Sequence, residues 1–414
     1  MMAMMMAASA ILVVTLWGCQ SSTPTPTAPR MALRQLQREP VVRIRLASAA
    51  QQIRIGGSSK LSVKDHIGRV WLIDMAVVAN WSATDTSIKI DGDRITLPDP
   101  AVFNATDGTV IRAGKKSYPG AIVLKVRADR RGFDVINHVR LEHYLPGVLD
   151  RELYSHWHPQ TYQSQAVAAR SYAAANLARS KGRHFDLEST QASQVYSGTT
   201  GNRKALRAVR VTHGMVLTYD NMVVPAYYSS CSGGAGQDAV VAFPDTTDIA
   251  PLRGRDHGVW GQNCPLFRWG PINRNRTLLS HRLAAWGRHN AHSIRDLKDI
   301  DWIKISARNS VQRPTKFQVK CAQGNVYELG PELFRYAANF RGPGAPPLSA
   351  KVKLPSSYVT TVTDGKQVQF VDGHGFGHGV GLDQFGAEAM ARRGHTAPAI
   401  LSFYYPQSQL VQAY

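Results

Sequence analysis

Acidic residues are in short supply in this chain of 414 residues. It has 29 Asp and Glu against 49 Lys and Arg, for a formal charge of +20. Such a cation excess points to a polyanionic partner: nucleic acid, an anionic membrane or an anionic cell wall. Cysteine is scarcer still, and four of them are too few to build the fold from a disulfide framework. The apolar run at residues 7–17 is too short to span a bilayer comfortably. No internal repeat occurs, and there is no RNP, KH or helix-turn-helix pattern, so nucleic acid is not the expected polyanion. What is present is ordinary globular material. Hydrophobic residues make up 43%, with Gly and Pro at 34 and 22, which excludes disordered, collagenous and coiled-coil chains and leaves room for a sizeable core. The length suggests two or three lobes.

The first residues bear on compartment. AASAILVVTLW ends in Leu16-Trp17-Gly18-Cys19, followed by a Thr/Pro tract to Pro29. A short apolar core with a small residue before the break reads as an export signal. Gly18 before Cys19 resembles a lipobox, in which the Cys19 sulfur takes a diacylglyceryl group and residues 1–19 are the signal. Trp17, and the lack of Lys or Arg ahead of the apolar core, depart from that pattern. An ordinary cleaved signal with an incidental Cys19 is the alternative. Residues 20–40 then form a Thr/Pro and basic tether. Arg30, Arg34, Arg38, Arg43 and Arg45 either rest on anionic head groups or form a solvated basic run.

Residues 41–119 read as a β-rich lobe. The strand-like pattern runs on to about Asn137: VVRIRLA, SIKI, TVIRA and AIVLKVRA alternate apolar and polar residues between Gly, Pro and Asp breaks. The stretch QTYQSQAVAARSYAAANLARSKG is a helix opened by His158-Pro159 and closed by Gly182, and its alanines allow close packing at the centre of the fold. KFQVKCAQGNVYEL reads as a hairpin. The terminal GHGFGHGVGLDQFGAEAMARRG runs from a glycine-dense loop into a helix near 384–392, with another near 397–404.

Four blocks resemble the SpoIID/LytB domain proteins, in that family's order: YPGAIVLKV…INHVRLEHYLPGVLDREL, WHPQTYQSQAVAARSYA, QVYSG with PAYYSSCSGG, and GHGFGHGVGLDQFGAEAMARRG…ILSFYYP. Together they cover residues 120–414. The resemblance implies a SpoIID-like α+β fold, β-rich lobes packed around the Ala-rich helix. It also implies a lytic transglycosylase that cuts peptidoglycan glycan strands stripped of stem peptides, or an amidase enhancer.

Under the resemblance Glu152 is the catalytic acid, placed shortly before the central helix. One carboxyl suffices for this chemistry. It protonates the leaving glycosidic oxygen and then takes the proton of the C6 hydroxyl that closes a 1,6-anhydro ring. Leu153, Tyr154 and Trp157 are close enough in sequence to form an apolar wall that raises its pKa. Asp150 and Glu142 are the neighbouring carboxyls, and Glu142, in LEHYL, looks structural. Gln165, Arg170, Gln194, Tyr196, Ser230, His378 and Gln384 match polar positions of the blocks and are the expected substrate-binding residues. Arg170 would pair with a lactyl carboxylate or orient Glu152. His374 and His378 sit four apart on a Gly-rich loop that lacks the helical geometry of a His-x₃-His metal site.

The family also implies a zinc site in some members. Here Cys231, His257 and Cys264 are the ligands it would use, with no fourth ligand identified. Tyr228 stands where a His often lies, and six residues separate His257 from Cys264, wider than a Cys-x₂-Cys. A Cys231–Cys264 disulfide and two free core thiols are the alternatives, while Cys321 reads as core. No cofactor is required for the chemistry, and zinc would be structural. The expected partners are glycan strands, a membrane reached through the lipid anchor, and a cell-wall amidase, with no nucleic acid. The expected location is the cell envelope, as an exported, membrane-anchored lipoprotein on the periplasmic or extracytoplasmic face.

Overall fold

The computed structural model describes residues 28–64, 68–90, 95–108 and 110–414. The signal segment and Cys19 lie outside the described residues. The fold is α+β. A seven-stranded sheet runs in the order Leu187–Glu188, Val41–Ala50, Phe133–Arg140, Ala121–Val126, Ala101–Ala105, Leu61–Lys64, Val70–Ile73. Val42 and Ile44 are fully buried on one face of their strand. Arg43 and Arg45 alternate with them and ion-pair with Asp186 and Glu188. That alternation is the period of two that a half-buried strand imposes. A six-stranded sheet, entered at Gln52–Gly56, completes the β-rich part.

Two expectations are corrected here. A boundary at residues 119/120 cuts through one sheet, because Val42 faces Val139 in register and a single core continues from Val42 to Val223. The part of the tether that is described is docked. Leu36 is buried, the Val223 N–H donates to the Met31 carbonyl at 2.8 Å, and the Leu33 N–H donates to that of Asn221 at 3.0 Å. Arg43 and Arg45 therefore belong to a paired strand and not to a solvated run.

Helix α1 spans Leu141–Glu152 and α2 spans Pro159–Arg179. Sequence reasoning missed α1 because Pro146 lies inside it, where it removes a backbone donor. Burial of Leu141, Tyr144, Leu145, Val148 and Leu149 at helical spacing outweighs that loss. Gly147 lets α1 approach the chain closely, since a Cβ there would meet the Gly198 carbonyl at 2.1 Å. The expected central helix is α2. Its N-cap His158 accepts the Gln160 N–H through Nδ1 at 3.2 Å, and Pro159 occupies the first turn. Ala166, Ala169, Ala173 and Ala174 are fully buried along it. Helix α3 (Arg203–Val211) packs against both.

After the short α4 (Ala239–Ala242), an inserted module carries α5 (Arg276–His289), α6 (Pro331–Ala338) and two three-stranded sheets. It has its own core, including Leu279, Phe317, Phe334 and Phe370. The expected hairpin is present as Pro314–Cys321 paired with Val326–Leu329. The chain then returns to the main body through α7 (Gln384–Arg392) and α8 (Ala397–Tyr404).

Arg313 ties the module to the main body. Arg313 is fully buried and donates Nη1 to the carbonyls of Ser232 and Ala235, each at 2.8 Å, and Nη2 to that of His378 at 3.0 Å. Gly379, at φ +73°, passes so close that a Cβ would meet the guanidinium at 2.3 Å.

Candidate functional site

Glu152 is the last residue of α1 and lies shortly before α2, as expected. Its carboxyl is half-buried and accepts the Val195 N–H at 3.0 Å. Burial pushes its pKa above the usual carboxyl value; the Val195 N–H and the nearby Gln384 side chain pull it down without cancelling the rise. The negative end of the α1 macrodipole acts in the same upward direction. Gln384 opens α7, and its Nε2 is buried without a hydrogen bond of ordinary geometry. An aromatic group stands beside these residues. Trp157 lies edge-on to Phe385 at 5.1 Å, and Tyr154, 56% exposed, is 5.2 Å from Trp157. Tyr154, Trp157 and Phe385 thus form one ring cluster, next in the chain to Glu152 and Gln384.

Several elements fix this arrangement. Asp383 caps α7, its Oδ1 accepting the Gly386 N–H at 2.8 Å. Its Oδ2 accepts both the N–H and the hydroxyl of Ser232, each at 2.8 Å, which ties the SCSGG loop to the helix carrying Gln384. The Ser230 carbonyl accepts the Phe385 N–H at 3.2 Å. Gln194 donates Nε2 to the Tyr228 hydroxyl at 3.0 Å and to the Ala169 carbonyl at 3.3 Å, and its Oε1 accepts from the Tyr144 hydroxyl at 3.2 Å. Gln194 therefore braces the loop whose next residue bonds to Glu152. Gln165 lies one turn before Ala169 on α2. It is fully buried, and neither end of its amide has a partner. Such unpaired groups are ready donors and acceptors for a polar ligand.

Other expected site residues are placed elsewhere. Arg170 is fully buried and holds Glu142 through Nε and Nη2 at 2.7 and 2.8 Å, so it neither orients Glu152 nor presents a free cation. Tyr196 is buried, donates to Asn137 Oδ1 at 3.0 Å and packs at a tilt against Tyr144 at 4.7 Å, in a packing role. His378 accepts the Val380 N–H at Nδ1 at 3.0 Å and lies edge-on to Phe243 at 5.0 Å. Burial pushes its pKa down to about 4, so the ring is neutral at pH 7. His374 stacks on Tyr358 at 4.6 Å.

The zinc expectation does not fit the residues present. Among the described residues no three His, Cys, Asp or Glu side chains are grouped to hold a metal. Cys231 and Cys264 do come together: Cys231 Sγ lies 3.9 Å from the Gly261 carbonyl that also accepts the Cys264 N–H at 2.9 Å. His257 instead packs edge-on against Tyr404 at 5.0 Å, with Nδ1 unpartnered. Cys321 is buried in the core of the inserted module, as expected.

Sequence reasoning missed Val195, Tyr144, Tyr228 and Phe385. Val195 acts through its backbone, so no side-chain signal exists. Phe385 had one, as the residue after the expected Gln384.

The fold and site define an α+β protein with a partly buried glutamate at a helix end, held by the Val195 N–H. A family model described as SpoIID, Stage II sporulation protein, matches residues 129–219, which hold α1, α2, Gln194 and Val195. The chain is 26% identical over 294 residues to the amidase enhancer of Bacillus subtilis (strain 168), covering 64% of this chain and 40% of that protein. It is 24% identical over 294 residues to Stage II sporulation protein D of the same organism, covering 67% of this chain and 76% of that protein. A Stage II sporulation protein D of Bacillus amyloliquefaciens is likewise 24% identical over 298 residues. These likenesses support a SpoIID family assignment.

Proposed function

We propose that the protein acts on the cell wall as a peptidoglycan lytic transglycosylase, with Glu152 as its single general acid and base. The carrying observation is the Glu152 carboxyl: half-buried, raised in pKa, anchored by Val195 and beside exposed Tyr154. A raised carboxyl remains a proton donor at higher pH than a free one. In the forward step Glu152 gives its proton to the oxygen between muramic acid and the next sugar while the C–O bond breaks. The C6 hydroxyl of the muramic acid then attacks its own anomeric carbon and passes its proton to the Glu152 carboxylate. A 1,6-anhydro end forms, the glutamic acid is regenerated, and no water is consumed. Tyr154 offers a face for a sugar ring, and the unpaired Gln165 amide and the Gln384 Nε2 suit hydroxyl and N-acetyl groups.

The residues that matter here are the chain's own, and no metal step is invoked. The cation excess favours an anionic glycan. Action on the wall places the protein outside the cytoplasm, consistent with the export-like first residues. The lipid anchor through Cys19 belongs to this same reading; no helix among the described residues is long and apolar enough to cross a membrane. The relative named amidase enhancer favours a second reading, in which the same groove binds wall glycan and a partner amidase does the cutting. Mass spectrometry of peptidoglycan digested by the purified protein separates the two. Anhydro-muramic ends support the enzyme. Intact strands that bind without cleavage support the enhancer.

A further inference from the structure

A cavity of about 360 Å³ lies where the main body meets the inserted module. Arg179 at the end of α2, Ser193, Tyr228, Phe243, and Leu333 and Tyr336 of α6 are among its lining. It adjoins the Glu152 site on two sides. Ser193 is two residues from Val195, whose N–H bonds to Glu152, and the Tyr228 hydroxyl is held by Gln194 in the same loop.

Three features give the cavity a ligand chemistry. The first is aromatic surface. Phe243 is half-buried and stacked on Tyr227 at 4.5 Å, and Tyr336 is 46% exposed although it faces this concavity. The second is the cation. Arg179 is half-buried and donates Nη1 to the Tyr227 hydroxyl at 2.9 Å, and among the described residues it has no ion pair with a carboxylate. Asp245, exposed on the rim, is not in ion-pair contact with it. The third is size, at the low end for ligand pockets, which suits one substituted sugar ring better than a peptide.

We propose that this cavity is a sugar subsite continuous with Glu152, in which Arg179 binds the carboxylate of an acidic sugar while Phe243 and Tyr336 contact its ring. An unpaired guanidinium suits a planar carboxylate, and aromatic faces suit the apolar faces of a pyranose. The inserted module thus contributes one wall through α6, and Arg313 fixes the main-body loops against that module. The inference rests on the glycan reading above, where muramic acid supplies the carboxylate through its lactyl group. A muramic acid whose lactyl group is capped by a stem peptide lacks that carboxylate, so Arg179 would select uncapped sugars.

The test is binding, not turnover, in a Glu152→Gln background. Two probes are titrated by calorimetry: a tetrasaccharide of alternating N-acetylglucosamine and uncapped muramic acid, and chitotetraose, which has the same backbone without carboxylates. Arg179→Met should weaken the muramic probe about tenfold or more and leave chitotetraose unchanged. Arg179→Lys should recover part of the loss, and added salt should shrink the difference between the probes. Tyr336→Ala, at an exposed position that does not endanger folding, should weaken both probes. Equal loss of both probes in Arg179→Met, or no loss of either, overturns the subsite. Selective muramic binding without any anhydro product from the wild-type protein would leave the subsite standing and overturn the transglycosylase reading. Failure of the Glu152→Gln protein to bind either probe overturns both.

Discussion

Arg170 holds both oxygens of Glu142, at 2.7 and 2.8 Å, and so bolts α2 to the start of α1 inside the core. The Tyr414 hydroxyl donates to the same carboxylate at 2.6 Å, which brings in the C-terminal residue. Burial alone would raise the Glu142 pKa, but Arg170, Tyr414 and the Gly214 N–H outweigh it and hold it below its usual value. Removing one partner leaves a buried charge unpaired, at a cost of about 3–5 kcal/mol. Glu142→Gln should therefore lower the melting temperature sharply. Activity per folded molecule, measured well below that temperature, should stay near wild type. Replacing both residues (Glu142→Gln with Arg170→Met) should restore part of the stability. A large fall in activity at unchanged stability would instead return Glu142 and Arg170 to the reaction site.

The pair also shows what could be read from sequence. The central helix, the terminal helices and the hairpin at Pro314–Cys321 were legible because alanine richness, capping residues and a Gly-Asn turn are local signals. Helix α1 was not, since Pro146 is a local breaker and the burial that overrides it comes from distant strands. Glu152, Gln384 and Gln194 were found through motif matches. Arg170 was found as well, yet its role was misread: a motif identifies an arginine but not the carboxylate it faces across the fold. The Val195 N–H and the fully buried Arg313 leave no trace in sequence, because each acts through backbone contacts made only after folding.

His257 makes stability depend on acidity. It is 3% exposed, and burial, followed by the charges of Arg255 and Arg313, pushes its pKa down to about 3. The unfolded chain takes up a proton near 6.5 while the folded one does not, so stability falls as pH drops from about 6.5 towards 3. At pH 5 the share due to His257 is about 2 kcal/mol. Melting curves at pH 7 and pH 5 should show a smaller acid loss for His257→Gln than for wild type. Identical losses would mean that the ring is protonated in the folded protein.

Cys231 and Cys264 meet beside the Gly261 carbonyl with no third ligand grouped around them among the described residues. Outside the cytoplasm such a pair oxidises, each thiol giving up a proton and an electron to a disulfide donor. Protein recovered from an oxidising compartment should show both thiols alkylated only after reduction, and no stoichiometric zinc by elemental analysis. Closing that loop should stabilise the fold by roughly 3 kcal/mol, read as a fall in melting temperature on adding reductant. One zinc per chain, with thiols exposed by a chelator alone, would reverse this expectation and require a ligand from outside the grouping seen here.

The sharpest prediction concerns Glu152. As the proton donor it must enter the reaction protonated, and burial lifts its pKa above the usual carboxyl value. The rate kcat/KM should hold at acid pH and fall as pH rises through that elevated pKa, with a single titrating group on the basic side. Glu152→Gln keeps the shape, and its side-chain oxygen can still accept the Val195 N–H, so the melting temperature should be unchanged. The donor is gone, however, and formation of anhydro ends should drop at least about a hundredfold at every pH. Glu152→Asp shortens the reach to the glycosidic oxygen and should fall in between. A Glu152→Gln protein that retains near-wild-type cleavage would remove Glu152 from the mechanism and leave the groove as a binding surface.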